Sequence, residues 1–193
     1  ILFVITLVAG ICLGTVHDIT LDPIAQAQEA AATKTYQEVY PDAASFDEPQ
    51  ELADAVTAAA DSISEWGFGK VTINDAKEAL DASGNQIGYL ITSTSAESYG
   101  GNVQIAVGIT NEGELTGIGF LSISDTPGLG MRAKEPDFKD QFIGKKAENL
   151  EVTKTGASAD NQIEAISGAT ITSKAVTNAT DAAIYFVANC LAQ

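Results

Sequence analysis

Val103-Gln104-Ile105-Ala106-Val107-Gly108-Ile109, then Thr110-Asn111-Glu112-Gly113-Glu114, then Leu115-Thr116-Gly117-Ile118-Gly119-Phe120-Leu121-Ser122-Ile123, is the stretch that decides the fold. Two apolar, β-branched runs of strand length flank Asn111-Glu112-Gly113, which has the composition of a hairpin turn. A similar pair stands just before it. Val71 and Ile73 alternate with Thr72 and Asn74, Ala76 to Leu80 continue the strand, Ser83-Gly84-Asn85 reads as a turn, and Ile87 to Ser95 as the returning strand. The middle of the chain is therefore expected to be an antiparallel sheet.

Outward from the sheet the period becomes helical. Pro49 at a helix start, with Leu52, Val56, Ala59 and Ile63 at helical spacing, predicts an amphipathic helix that ends before Gly67 and Gly69. Phe138 and Phe142 predict a short helix after Pro136, while Leu150-Glu151-Val152-Thr153 and Ile163-Glu164-Ala165-Ile166 predict further strands. A last helix is expected from about Ile171 to Leu191, with Val176, Ala179, Ala183, Val187 and Leu191 forming its core stripe. The class is α+β, an antiparallel sheet flanked by helices.

The amino-terminal run, Ile1 to Val16, carries no charge and is about four residues short of a bilayer-spanning helix. It is read as a single transmembrane helix over residues 1–20 whose amino-terminal end lies before Ile1. A cleaved signal peptide would need a small-residue exit, where His17, Asp18 and Ile19 stand instead. A lipid anchor at Cys12 would follow a small residue, and Ile11 precedes it. Gly10 and Gly14 form a small-xxx-small pair suited to packing against another membrane helix. Asp22-Pro23 is expected to interrupt or kink the helix; Ile24 to Tyr40 is then helical up to Pro41, within a linker over residues 21–45. Residues 46–193 form the domain.

At 193 residues the chain supports one sizeable core. Its 26 acidic against 10 basic side chains, a formal charge of −16, oppose binding to nucleic acid. Cys12 and Cys190 are too few for a disulfide framework, and the only histidine, His17, has no ligand-spaced partner, so no metal site is expected. Nor is there a Ser-His-Asp set or other grouping for acid-base chemistry on a substrate, so no catalytic residue is assigned.

The remaining chemistry lies at the mouth of the last helix, in Ser167-Gly168-Ala169-Thr170. First-turn N–H groups have no intrahelical acceptor, and the helix dipole adds positive potential there, so the end suits a phosphate. Gly168 and Ala169 let the backbone come close, and the Thr170 hydroxyl can carry a phosphate covalently. Ser and Thr as plain helix caps are the competing reading.

Together with Ile171-Thr172-Ser173-Lys174-Ala175-Val176 and the upstream Asp125-Thr126-Pro127-Gly128-Leu129-Gly130, this segment resembles the flavinylation motif of FMN-binding subunits in ion-translocating electron-transport complexes, the G subunit of the Rnf complex above all. The resemblance runs over nearly the whole chain. It implies an FMN-binding domain over residues 46–193, with FMN esterified through its phosphate to Thr170 by a separate flavin transferase. Ser167, Gly168, Ala169, Thr172 and Ser173 complete the motif. Thr126, Pro127, Gly128, Leu129 and Gly130 are implied as ring contacts, with Tyr99 of Tyr99-Gly100-Gly101 as a further aromatic one. Lys174 could screen the phosphodiester, and Trp66 is read as a core or interface anchor. Partners implied are the other membrane and iron-sulfur subunits, with ferredoxin and NAD as the complex's substrates and the domain on the extracytoplasmic side of the cell membrane. The family often has His and Glu before the Thr-Pro-Gly loop, where this chain has Ser122, Ser124 and Asp125. Two alternatives stay open: the C subunit of the sodium-translocating NADH:quinone complex, which shares covalent FMN, and a membrane-tethered interaction module without cofactor.

Overall fold

The structure is a computed structural model and describes residues 2–146 and 149–191. Ile1, where the predicted span begins, and residues 192 and 193 of the predicted domain lie outside the described residues. The chain divides into two compact units, residues 1–34 and 35–193.

The first unit is helical throughout its described length, as part of α1 (Leu2–Val39). Leu2, Phe3, Ile5, Leu7, Ile11, Leu13, Val16 and Ile19 are all exposed. Its threonines donate backwards along the helix: Thr6 to Leu2 O (3.2 Å), Thr15 to Ile11 O (3.0 Å) and Thr20 to Val16 O (2.9 Å). The helix passes Pro23 without the expected interruption. Proline lacks one N–H and so removes one i→i−4 bond, a loss that the long helix tolerates while its backbone stays helical. Among the described residues no helix is long and apolar enough to cross a membrane.

The second unit is built on a five-stranded antiparallel sheet, β1 (Ser45–Asp47), β2 (Val71–Leu80), β3 (Gln86–Ser98), β4 (Gly101–Thr110) and β5 (Leu115–Ile123), in that spatial order. Both predicted hairpins form. Gly113, at φ +78°, donates its N–H to Thr110 O (2.9 Å), closing the turn between β4 and β5. The turn between β2 and β3 is held by Asp81, whose Oδ1 accepts the N–H groups of Ser83 and Asn85. The three-residue β1 was missed because it is too short to show alternation.

Alternation sorts the sheet into two faces. Ile91, Ile105 and Val107 join the main core beneath α4 (Thr170–Phe186), whereas Leu90 and Ala106 pack with Val39 at the end of α1. Small residues line the buried side of α4, with Ala175, Ala179, Ala182 and Ala183 all buried, so the helix lies close to the strands. Ser93 of β3 donates to Ala179 O at 2.9 Å, satisfying its hydroxyl within that layer.

The helix after Pro49 is shorter than the spacing predicted: α2 covers Gln50–Ala59, and Ile63–Trp66 is a 3-10 turn. Ala60 N–H bonds Thr57 O, and the Ser62 hydroxyl takes Ala59 O (3.0 Å), two contacts that tighten and end the helix. The short α3 (Pro136–Lys139) runs into a 3-10 turn that buries Phe142. The last two strands, β6 (Glu151–Thr153) and β7 (Gln162–Glu164), form a separate parallel pair. Val187–Leu191 continues α4 as a π-helical turn. Trp66 packs on Tyr185, with ring centroids 4.8 Å apart.

Candidate functional site

The site grows from the way α4 begins. Gly168 takes φ +78°, a conformation that costs a side-chain-bearing residue about 1–2 kcal/mol, and Ala169 N–H then closes onto Ile166 O at 2.9 Å. Ser173 sews this turn to the helix: its Oγ accepts Ile166 N–H (3.0 Å) and donates to Ala169 O (3.0 Å). Ser173 N–H also bonds Ala169 O, so the amides of residues 170–172 lie ahead of the first intrahelical acceptor.

Three hydroxyls follow one another here with different fates. Those of Thr172 and Ser173 are fully buried and spent on protein partners, Thr172 Oγ1 donating to Asp125 Oδ2 at 2.7 Å. Thr170 is half-buried, and its hydroxyl is hydrogen-bonded to no other described residue. A hydroxyl that is reachable, uncommitted and beside unsatisfied amides is the one placed to carry a phosphate.

The Thr126–Gly130 loop lies against this turn. Thr126 O accepts from Leu129 N–H (3.1 Å) and Met131 N–H (3.3 Å), closing Pro127-Gly128 into a tight turn with Gly128 at φ +77°. Leu129 leans on the α4 turn so closely that a Cβ at Gly168 would stand 3.1 Å from its Cδ2. Tyr99 tops the hairpin between β3 and β4 and is exposed, as are Leu129 and Ile171. Lys174 is exposed on the first turns of α4.

What joins these segments is Asp125, which in the sequence opens the Thr-Pro-Gly segment and stands among the departures from the family pattern. It is 7% exposed, and its Oδ2 accepts both the Thr172 hydroxyl and, in a short bond, the Ser98 hydroxyl. Gly130 packs on its carboxyl group, where a Cβ would come within 2.5 Å of Cγ. Gly100 packs on its backbone, where a Cβ would stand 2.9 Å from Cα. Residues 98–101, 124–131 and 166–173 therefore meet around one carboxylate. An acidic residue between a strand end and a Pro-Gly turn was the available signal, and nothing in the sequence pairs it with residues 27 and 47 positions away.

Beside Ser167 a cavity of about 250 Å³ opens, lined also by Phe138, Glu164 and Arg132, the only arginine of the chain. Arg132 Nε lies 3.2 Å from Glu135. Among the described residues no group of His, Cys, Asp and Glu side chains could hold a metal ion.

Residues 98–185 match the family described as FMN-binding domain, beginning at the Ser98 that reaches Asp125 and ending near the close of α4. The fold and this match together define the class, an α+β flavin-nucleotide-binding domain. The G subunit of the Na(+)-translocating ferredoxin:NAD(+) oxidoreductase complex of Acetobacterium woodii is 36% identical over 197 residues, covering 98% of this chain and 89% of its own. The G subunit of the proton-translocating ferredoxin:NAD(+) oxidoreductase complex of Clostridium ljungdahlii is 35% identical, covering 60% of this chain and 67% of its own. The crystal structure of Shewanella oneidensis NqrC overlays with a TM-score of 0.48 at 19% identity, over 57% of this chain and 54% of that one, too loosely to bear on the assignment. The chain belongs to the G-subunit family of ion-translocating oxidoreductase complexes.

Proposed function

We propose that the protein is the flavin-carrying redox subunit of an Rnf-type, ion-translocating ferredoxin:NAD(+) oxidoreductase complex, with FMN joined covalently to Thr170. The observation that carries this reading is the contrast among neighbouring hydroxyls: Thr172 and Ser173 are consumed inside the protein, while Thr170 is accessible at the head of α4. The residues present fit the group. The amides of residues 170–172 suit a phosphate, and the Gly168 turn brings the backbone close without a side chain in the way.

In the attachment step Thr170 Oγ1 would form a bond to the phosphorus of an activated flavin nucleotide as the nucleotide leaving group departs with its P–O electron pair, and the O–H proton would pass to a base of the transferase or to solvent. A separate flavin transferase supplies the catalysis. Bound FMN supplies a ring able to exchange electrons with one-electron and two-electron partners. The protein's own share is to tether that ring, present it on a surface made by Leu129, Ile171 and Tyr99, and keep it from diffusing away.

The exposed apolar residues of α1 from Leu2 to Ile19 are read as membrane-embedded, with neighbouring membrane subunits of the complex packing on Gly10 and Gly14. Thr6, Thr15 and Thr20 already satisfy their hydroxyls along the helix, as a lipid environment requires. The resemblance to the family supports placing the domain on the extracytoplasmic side.

The test is the exported full chain, coexpressed with a flavin transferase. A denatured preparation that remains yellow and carries an FMN-sized mass adduct, both lost in Thr170→Ala, is the expected result. A colourless, unmodified parent chain overturns the reading, and an adduct that survives Thr170→Ala moves the bond to another hydroxyl.

A further inference from the structure

Asp125 does more than a structural tie would need to. Two hydroxyl donors, from Ser98 and Thr172, converge on its Oδ2, while Oδ1 is buried and meets no donor among the described residues. Buried carboxylate oxygens ordinarily find donors, because an unsolvated and unbonded acceptor costs free energy. Asp125 sits where the hairpin of Tyr99, the Pro127-Gly128 turn and the head of α4 come together. Gly130, which packs on the carboxyl group, and Gly100, which packs on the Asp125 backbone, bring no side chain that could donate to Oδ1.

We infer that Asp125 is a positioning residue for the flavin nucleotide, its Oδ1 accepting a hydrogen bond from a ribityl hydroxyl; the inference rests on the reading of Thr170 as the anchor. Charge decides which part of the nucleotide this oxygen meets. A carboxylate repels the phosphodiester and pairs with a neutral donor, and FMN offers hydroxyls along its ribityl chain and one N–H on its ring. Reach favours the chain. Thr172, which donates to Oδ2, lies two residues beyond Thr170, about 3 Å further along the helix axis but about 200° around it, and the ribityl chain that follows the phosphate is the flexible part of FMN able to cover that separation. In this arrangement Ser98 and Thr172 fix the carboxylate from one oxygen and leave the other without a donor of the protein's own. The acid also places a negative charge near the flavin, which disfavours adding electrons to it.

The parent full chain, Asp125→Asn and Thr172→Val are each produced with the flavin transferase and compared by intact mass, visible spectrum and midpoint potential of the loaded protein. Asp125→Asn replaces one of the two acceptor oxygens with an NH2 donor, so the amide can no longer accept from Ser98, Thr172 and the flavin on two oxygens at once, and it removes the charge. Loading should drop roughly tenfold or more, and the residual flavin should show a shifted spectrum and a more positive potential. Thr172→Val loosens the Oδ2 side only, so its loaded flavin should keep the parent spectrum and potential. A purely structural tie would lower thermal stability in both variants and move neither optical nor redox readout. Asp125→Asn that loads like the parent, with the parent's spectrum and potential, overturns the inference. Should that variant fail to fold, a crystal structure of the flavinylated parent decides. Oδ1 within about 3.2 Å of a ribityl oxygen supports the assignment, and Oδ1 farther than about 3.5 Å from every flavin nitrogen and oxygen refutes it. A parent with no adduct defeats the Thr170 reading itself, whereas a loaded parent indifferent to Asp125 defeats only the role given to that carboxylate.

Discussion

Between β3 and β4 the residues that hold the protein together face one another in register: Ile91 stands opposite Val107, and Ser93 opposite Ile105, all fully buried. At the head of α4 the corresponding work is done by Ser98, Asp125 and Thr172, polar residues from three separate segments that meet on one oxygen. The sheet is a sum of many small, interchangeable apolar contacts. The loop cluster depends on a few directional bonds, each of which leaves a buried polar group stranded if its partner is lost. Damage to the first should therefore appear as graded loss of stability, and damage to the second as loss of chemistry or of local geometry.

The largest effect expected is the cleanest test of that division. Thr170→Ala should abolish the covalent flavin while leaving the thermal midpoint of the apoprotein essentially where it was, since the hydroxyl has no described protein partner; mass spectrometry and calorimetry on the same sample read both. A large fall in midpoint would show that Thr170 belongs to the structural class after all.

Phe142→Ala attacks the apolar core that Phe142, from its 3-10 turn, shares with β3 and β4. Phe142 is fully buried and stacks edge-on against Phe138 at 5.6 Å, so truncation should cost about 3–5 kcal/mol in denaturant unfolding. The molecules that still fold should accept flavin at Thr170. Loss of attachment at full folding would break the comparison.

Asp181 is the ionisable residue among the buried ones of α4, and it sharpens the contrast. It is buried, and burial pushes its carboxyl pKa up to about 7 against a smaller opposing pull from the Leu150 N–H that it accepts at 3.0 Å. The folded state thus holds a proton that the unfolded state, with an ordinary value of 3.8, has released. Stability from this group is full below about pH 4 and falls as pH rises towards 7. Asp181→Asn keeps an acceptor for Leu150 and removes the titration. Unfolding at pH 8 should show the variant more stable by the order of a few kcal/mol, with little difference at pH 4. A pH-independent difference would mean that the carboxyl group does not carry the proton.

The smallest effect falls on Gly168→Ala, which should cost about 1–2 kcal/mol because φ is +78° and the added methyl would press on Leu129. Exchange of the Ala169 and Ser173 amides should quicken in the variant while amides in β3 and β4 stay protected. Uniform loss of protection would show that the turn and the sheet unfold as one body.

Much of this architecture was legible in the order of residues. Period-two alternation from Val71 onward and the Asn111-Glu112-Gly113 turn determined the antiparallel hairpins, because alternation is a local property of the chain and its burial follows from one covered face. The small residues before Thr170 likewise marked a helix mouth open to an anion, since orphan amides are a consequence of helix geometry wherever one begins. Tertiary structure decided the rest: that α2 stops at Ala59, that the last two strands pair in parallel, and that of the hydroxyls at 170, 172 and 173 only the first is uncommitted. It also chose Asp125 as the meeting point. Which donor reaches which acceptor depends on the closing of loops over distances of 27 and 47 residues, and periodicity along a chain holds no record of such a pairing.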